Sequence, residues 1–448
     1  MPRPVGGDEC SIFKNPIGRT FLSGNRIFAE TGKSRLSVKP HPVAGSFTPL
    51  GVLMTQEDGS RTFDIIIIGG GIMGSSIAYH LANDGFPGRI AVFEKDPTYE
   101  FSSTTLSAGG VRQQFSTEVN IRISKYSIDF YEKFDEIMAV DGEKAHSEFR
   151  QRGYLFLANE KNWPLIENHY HFQKSMGAAV ELLSIEEALK IVPNLNPEGL
   201  VGASFGRKDG YLDPYGTLQG FIKKARSMGV RYVHDEVTGV LKEGCRVTGV
   251  TARKGDKYTG AVLVNAAGPW AAEVGRMAGV DLPVDPVRRM VFVFQPSEIF
   301  GYDLPLVIDV SGLYFRHETG KVIMTGMSIL EEPPGFNFKV DNSFFNQTMW
   351  PILADRVSVF DRLKLIKGWA GLYEVNRLDS NALLGKHPGL EGFYMAIGFS
   401  GHGFQQAPAV GKAMSELIRL GRYETIDVSS LNYERVLTGK LVIEEEVV

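Results

Sequence analysis

Cysteine is nearly absent: Cys10 and Cys245 are the only two among 448 residues, far apart in sequence. Neither has a second thiol nearby, so no disulfide framework and no thiolate metal site can be read from them, and a reducing compartment fits. Long apolar runs are also missing. A membrane helix needs about 18 uninterrupted apolar residues. The most apolar stretch, Ile65 to Ala82, is broken by four glycines, two serines and His80. A soluble chain with no transmembrane segment is expected. Neither sign of charge dominates, with 48 Lys and Arg against 52 Asp and Glu, which argues against an electrostatic nucleic-acid binder. Internal repeats and low-complexity tracts are absent too. With 43% hydrophobic and 22% charged residues, the composition excludes collagen, coiled coil and bulk disorder.

At roughly 150 residues per domain, the length suggests two or three packed units with ample core. Residues 1–60 differ in character. Pro, Gly, Ser and Thr are scattered there without either hydrophobic period, and between Lys14 and Lys39 six basic residues face the single acid Glu30. This segment reads as a poorly structured leader. It is either an organellar presequence or an overlong start upstream of Met54.

The strongest signal begins at Asp64-Ile-Ile-Ile-Ile-Gly69, the continuous apolar run that a parallel strand buried on both faces requires. It runs into Gly69-Gly-Gly71-Ile72-Met73-Gly74. Gly69 permits the tight turn, Gly71 lets the backbone approach a pyrophosphate, and Gly74 lets the next helix pack on the strand. A helix from Ser75 would aim its N-terminal N–H groups and dipole at phosphates. A second strand, Arg89-Ile-Ala-Val-Phe-Glu94, ends in an acid 20 residues beyond Gly74, where a ribose-hydroxyl acceptor belongs. Glu94 argues against NADP, with Lys95 beside it, but the fingerprint alone does not separate NAD from FAD.

After this unit comes a small-residue loop, Phe101 to Gln114, which either wraps a cofactor or lies on the surface. Val119 to Phe134 reads as an amphipathic helix. A strand-like Tyr154-Leu-Phe-Leu-Ala leads away into a second unit, and Asp209-Gly-Tyr-Leu-Asp-Pro begins a return. Ala261-Val-Leu-Val-Asn-Ala-Ala267-Gly268-Pro-Trp270 is another buried strand whose small end lets backbone pass close to a ligand. Residues 287–330 alternate like strands of a mixed sheet. Phe393 to Leu420 repeats the order of strand, glycine turn and helix.

Together these residues resemble the FAD-dependent amine and amino-acid oxidoreductases of the D-amino-acid oxidase superfamily, which includes sarcosine oxidase, glycine oxidase and dimethylglycine dehydrogenase. The likeness rests on Gly69 to Gly74 with Glu94, the Ser103 to Arg112 loop, Asp209 to Pro214, Asn265 to Trp270, Gly368-Trp-Ala-Gly-Leu-Tyr373 and Gly398-Phe-Ser-Gly-His-Gly-Phe404. Within that superfamily the loop, the last motif and Gly439 to Glu446 are similar to a branch linked to respiratory complex I assembly and to its bacterial relatives. The resemblance implies an α/β Rossmann-like FAD-binding domain interleaved with an α+β mixed-sheet substrate domain. The first would comprise residues 61–150, 205–285 and 365–425, the second 151–204 and 286–364, followed by a C-terminal tail, 426–448.

The resemblance decides FAD over NAD. It places the adenine half on Gly69 to Gly74 and Glu94, with the adenine edge near Val237. It places the ring against Ser103, Thr104, Gly109, Gly110, Gly401, His402, Gly403, Phe404 and Gln405. Gly371 and Leu106 occupy positions where relatives attach flavin through Cys or His, so the FAD is expected to be noncovalent. The implied chemistry is oxidation of the C–N bond of a small, N-substituted amino acid. Arg112 matches a carboxylate-binding Arg of sarcosine oxidase. Arg316 beside Tyr314 is a reserve candidate, Tyr373 replaces the carboxylate-binding Arg of glycine oxidase, and His402 is a further candidate. Gln405 replaces a substrate-assisting Lys, and Met324 stands where sarcosine oxidase carries the Lys that promotes O2 reduction. A dehydrogenase passing electrons to a quinone or electron-transfer protein is therefore favoured over an oxidase. The other reading is a flavin-containing assembly factor with little turnover. Location follows the leader: mitochondrial matrix if it is a presequence, cytoplasm if the protein is bacterial.

Overall fold

The computed structural model describes residues 60–329 and 331–445. All of the expected leader but Ser60, and Cys10 with it, lies outside the described residues. Ile65–Ile68, buried at every position, forms an inner strand of a six-stranded sheet. Parallel neighbours flank it on both sides, Ile90–Glu94 and Val262–Asn265, and both faces are covered, so an unbroken apolar run is what this position demands. Arg231–His234 extends one side, and Phe393–Ile397 with the antiparallel edge Leu383–Lys386 the other. The helix Ile72–Asn83 leaves the glycine turn and packs on the helix Gly403–Leu420. That contact is close: a Cβ on Gly411 would lie 2.2 Å from Ser76 Oγ.

The second unit is an eight-stranded mixed sheet, ordered Leu363–Asn376, Val284–Pro296, Ile323–Met327, Leu313–His317, Leu306–Ile308, Tyr154–Ala158, Gly202–Gly206, Val180–Leu183. Its two longest strands pair antiparallel over their whole length, from Val284 opposite Asn376 to Pro296 opposite Leu363. This differs from the expected boundaries. Leu363–Asn376, counted above with the nucleotide domain from residue 365 onward, belongs to the mixed sheet, because it supplies the full-length partner for Val284–Pro296. Phe205 and Gly206, also counted with the nucleotide domain, end the strand Gly202–Gly206, which pairs with Tyr154–Ala158 in that sheet. A two-stranded ribbon, Gly110–Val111 with Gly210–Tyr211, joins the units.

The C-terminal segment is tied into the body. Val428 and Leu431 are fully buried, and Arg435 forms a buried ion pair with Asp379 at 2.8 Å while donating to the carbonyls of Asn381 and Ala382. Truncating one partner strands the other charge in the interior, at a cost of about 3–5 kcal/mol. Asp379→Ala should lower the unfolding free energy by about that amount in denaturant titrations; a loss under about 1 kcal/mol would show that the pair is dispensable.

Candidate active site

The glycine turn and the ends of the parallel strands open into a groove with about 1290 Å³ of space. At one end lie Gly69, Gly71, Ile72 and Met73, with Glu94 and Lys95 opposite. Gly69 sits at φ +105°, and its Cβ would fall 2.3 Å from the Ala266 carbonyl oxygen. Gly74 does not line the groove; its Cβ would meet the Gly69 carbonyl at 1.9 Å, so it sets the approach of helix to turn. The helix beginning at Ile72 has no side-chain cap and no acid in its first turn, although Thr104 Oγ1 accepts the Ile72 N–H at 3.1 Å. Such an end favours an anion. Glu94 is held by the N–H groups of Gly70 (2.8 Å) and Asp96 (2.9 Å). Lys95 stacks over Trp270, 3.4 Å from the ring centre. Val237, Ala267 and Gly268 complete this end, and a Cβ on Gly268 would meet nothing within 4 Å. A backbone open to the groove, an anion-ready helix end and an anchored acid fit the ADP half of a dinucleotide.

At its other end the groove meets a second cavity of about 800 Å³. Ser103, Ser107, Leu372, Tyr373, Gly401 and Phe404 line both. Part of their common wall is the loop from Ser103 to Gly110, through Ser103 and Ser107, and the mixed sheet holds this loop at three points. Ser103 Oγ donates to the Leu372 carbonyl (2.6 Å), Trp369 Nε1 donates to the Leu106 carbonyl (2.9 Å), and Arg316 donates twice to the Ala108 carbonyl (3.0 and 2.8 Å). Gly401, at φ +97°, passes so close to Tyr373 that a Cβ would lie 2.4 Å from its ring.

The structure brings Arg112, Tyr314, Tyr373, His402, Gln405, Gly109, Gly110 and Gly371 into the second cavity's lining and Gly403 into the groove's. Arg316 is not among these residues. It is buried, pairs with Glu318 at 3.0 Å, stacks on Tyr211 and is occupied with the loop carbonyl. Arg112 donates to the Gln114 carbonyl and lies 4.1 Å over the Phe115 ring, while Gln405 Oε1 accepts its backbone N–H. The His402 ring meets Phe115 edge-on at 5.0 Å. Gly371 and Leu106 present no thiol or imidazole.

Three charged residues escaped the sequence reading. Glu374 lines the groove and accepts the Gly398 N–H at 3.0 Å; the surrounding protein pushes its carboxyl up to about 8. Asp209, quoted above only as part of a motif, is fully buried and accepts the Gln113 N–H (3.0 Å) and the Gln114 amide (3.2 Å), fixing the residues that follow Arg112. Arg289 lines the second cavity. Its only sequence signal was a pair of arginines inside an apolar run, and strand alternation turns one of them inward.

Burial pushes the Asp209 carboxyl up to about 7. A carboxyl whose pKa is higher in the fold than in the unfolded chain favours folding at low pH, and its contribution is lost as pH rises through the window between the two values. Unfolding free energy should therefore fall between about pH 4 and pH 7, by up to roughly 4 kcal/mol from this group. Asp209→Asn should flatten that slope in urea titrations across the window; an unchanged slope would exclude Asp209 as its source.

Comparison with known proteins agrees with this geometry. A family model described as FAD dependent oxidoreductase matches residues 64–417. FAD-dependent oxidoreductase domain-containing protein 1 of Xenopus laevis is 37% identical, the match covering 100% of this chain and 95% of that protein. Mitochondrial dimethylglycine dehydrogenase of Homo sapiens is 28% identical over 87% of this chain and 46% of its own length. Among solved structures, L-proline dehydrogenase from P. horikoshii matches with a TM-score of 0.79 and 30% identity, covering 86% of this chain and 100% of that one. Glycine oxidase from Geobacillus kaustophilus shares the fold, with a TM-score of 0.74, 22% identity and coverage of 83% and 98%. A dinucleotide groove continuous with a second, smaller cavity, on a chain matched from Asp64 onward, makes this protein a member of the FAD-dependent oxidoreductase family, with noncovalent FAD as its cofactor.

Proposed function

We propose that the protein is an FAD-dependent dehydrogenase that oxidises the C–N bond of a small, N-substituted amino acid. The observation that carries this reading is the second cavity. It adjoins the cofactor groove through a shared wall, two arginines line it, and among the described residues no Asp or Glu does. An acid-free pocket with guanidinium groups suits a carboxylate-bearing substrate. FAD, when bound, would supply the redox chemistry of C–N oxidation as the hydride acceptor. The protein's task is then to orient the substrate and keep water out. Burial raises the pKa of Tyr314 and of Tyr373, so both stay protonated and can donate hydrogen bonds at neutral pH.

Dehydrogenase over oxidase is supported by the side chain at position 324. Met324 packs among Val291, Val293, Ala108 and Trp369, so residue 324 itself brings no amine to stabilise reduced oxygen; the cations beside this cluster are already engaged, Lys367 over the Trp369 ring and Arg316 with the Ala108 carbonyl. Among the described residues lining the two cavities, Lys95 is the only lysine, and it sits at the Glu94 end. A quinone or an electron-transfer protein is the acceptor this reading requires. The similar proteins, mitochondrial dimethylglycine dehydrogenase and L-proline dehydrogenase, support both the reaction class and, for the first, a mitochondrial setting.

Anaerobic titration of the purified holoprotein with sarcosine, dimethylglycine, glycine, proline and D-amino acids should bleach the flavin band with at least one compound, and colour should return slowly in air. A yellow protein that none of them reduces would overturn the enzyme reading in favour of an assembly factor. Glu94→Gln removes a charged acceptor from the ribose end, and FAD should bind about 10- to 150-fold more weakly in fluorescence titrations of the deflavinated protein. Affinity within about twofold of wild type would remove Glu94 from the cofactor site.

A further inference from the structure

We propose that Arg289, rather than Arg112, is the cation that grips the substrate carboxylate; this deepens the amino-acid reading above and rests on it for the identity of the ligand. Arg289 lies on Val284–Pro296 opposite Gly371, two positions along from Tyr373 on the partner strand. Opposed residues of an antiparallel pair share a face, and this one, with Val291, forms a wall of the second cavity. Because residue 371 has no side chain, nothing on the partner strand covers the guanidinium at that level. It lies 5.0 Å from the Tyr373 ring centre, and Nη1 donates to the Arg288 carbonyl at 2.9 Å.

Its electrostatic position is unusual. Buried Nε has no hydrogen-bond partner, and among the described residues Arg289 makes no ion pair. The nearest acid that influences it is Glu332, which already engages the neighbouring Arg288 through two bonds of 2.8 and 2.9 Å. Arg289 is half-buried, and a guanidinium partly drawn out of water without a counter-ion is costly; retaining one is explained when a ligand brings the missing anion. Arg112 differs. Its guanidinium donates to the Gln114 carbonyl and lies over Phe115. Protein groups already answer that charge, whereas Arg289 presents a planar donor fork to a cavity wall with no acid, the geometry that binds a carboxylate through both oxygens.

The test uses the FAD-loaded protein and a non-reactive pair of probes, pyrrole-2-carboxylate and pyrrole-2-carboxamide, read by their perturbation of the flavin spectrum. In the wild type the carboxylate should bind and the uncharged amide should bind at least about tenfold more weakly, the charge-assisted contact being what separates them. Arg289→Gln should weaken the carboxylate about 10- to 150-fold and leave the amide and the FAD content unchanged, Arg289→Lys should recover part of the loss, and Arg112→Gln should weaken it less. Thermal unfolding supplies a second measurement. Neutralising a cation that lacks a partner should leave the melting temperature unchanged or raise it and should abolish stabilisation by the carboxylate, whereas a structural arginine would destabilise when replaced. The proposal is overturned if the wild type does not discriminate the two probes, if Arg289→Gln leaves carboxylate affinity within about twofold, if both probes weaken equally, or if the variant unfolds. Since neither probe reacts, Arg289-dependent binding stands even when no amino acid bleaches the flavin, and bleaching combined with Arg289-independent binding refutes this inference alone.

Discussion

Both cavities depend on one irregular segment being held still. The loop from Ser103 to Gly110 ends in only a two-residue strand, yet it forms part of the wall between the cofactor groove and the second cavity. Its position comes from the mixed sheet, which presents a carbonyl to Ser103, an indole N–H to Leu106 and a buried guanidinium to Ala108. On the other side Thr104 fastens it to the first turn of the nucleotide-binding helix. The loop is therefore the joint between the two sheets, and its hydrogen bonds set where a flavin ring and a substrate can meet. Charge-assisted bonds such as those of Arg316 are the stronger class, which suits a segment that has no ladder of its own.

The two spaces divided by that wall have opposite electrostatics. Acids crowd the groove: Glu94, Asp96, Asp235, Glu236, Glu273 and Glu374 all line it. Surrounding protein keeps the last of these largely protonated at neutral pH, so it adds little negative charge near the ring end. The pocket has arginines and tyrosines instead. A cofactor whose ribose hydroxyls need acceptors and the carboxylate-bearing substrate proposed above would thus be sorted by the lining itself.

What the sequence made legible was local. Asp64 to Glu94 states its strand, turn, helix and second strand in consecutive residues, and the glycines there have reasons that a single backbone segment can express. What escaped needed a partner from elsewhere in the chain. Most of Leu363–Asn376 falls on the other side of the expected boundary because its affinity for Val284–Pro296, some eighty residues upstream, has no local signature. Arg288 and Arg289 are chemically identical neighbours. Only the register that sets one against Glu332 and the other against Gly371 distinguishes an ion pair on the flank from a cation at the pocket. Arg316 shows the converse, a residue that looked available on a strand and is wholly engaged once the loop is folded over it.

The mixed sheet is assembled from strands scattered between Tyr154 and Asn376, and the parallel sheet from strands scattered between Ile65 and Ile397. Neither sheet can close until the other's segments have threaded past it, so this is a topology of long loop closures and slow folding. The groove is not complete until Phe404 has been synthesised, when nine-tenths of the chain already exists. Flavin therefore arrives as a late latch, and its binding free energy adds to the stability of an almost finished fold.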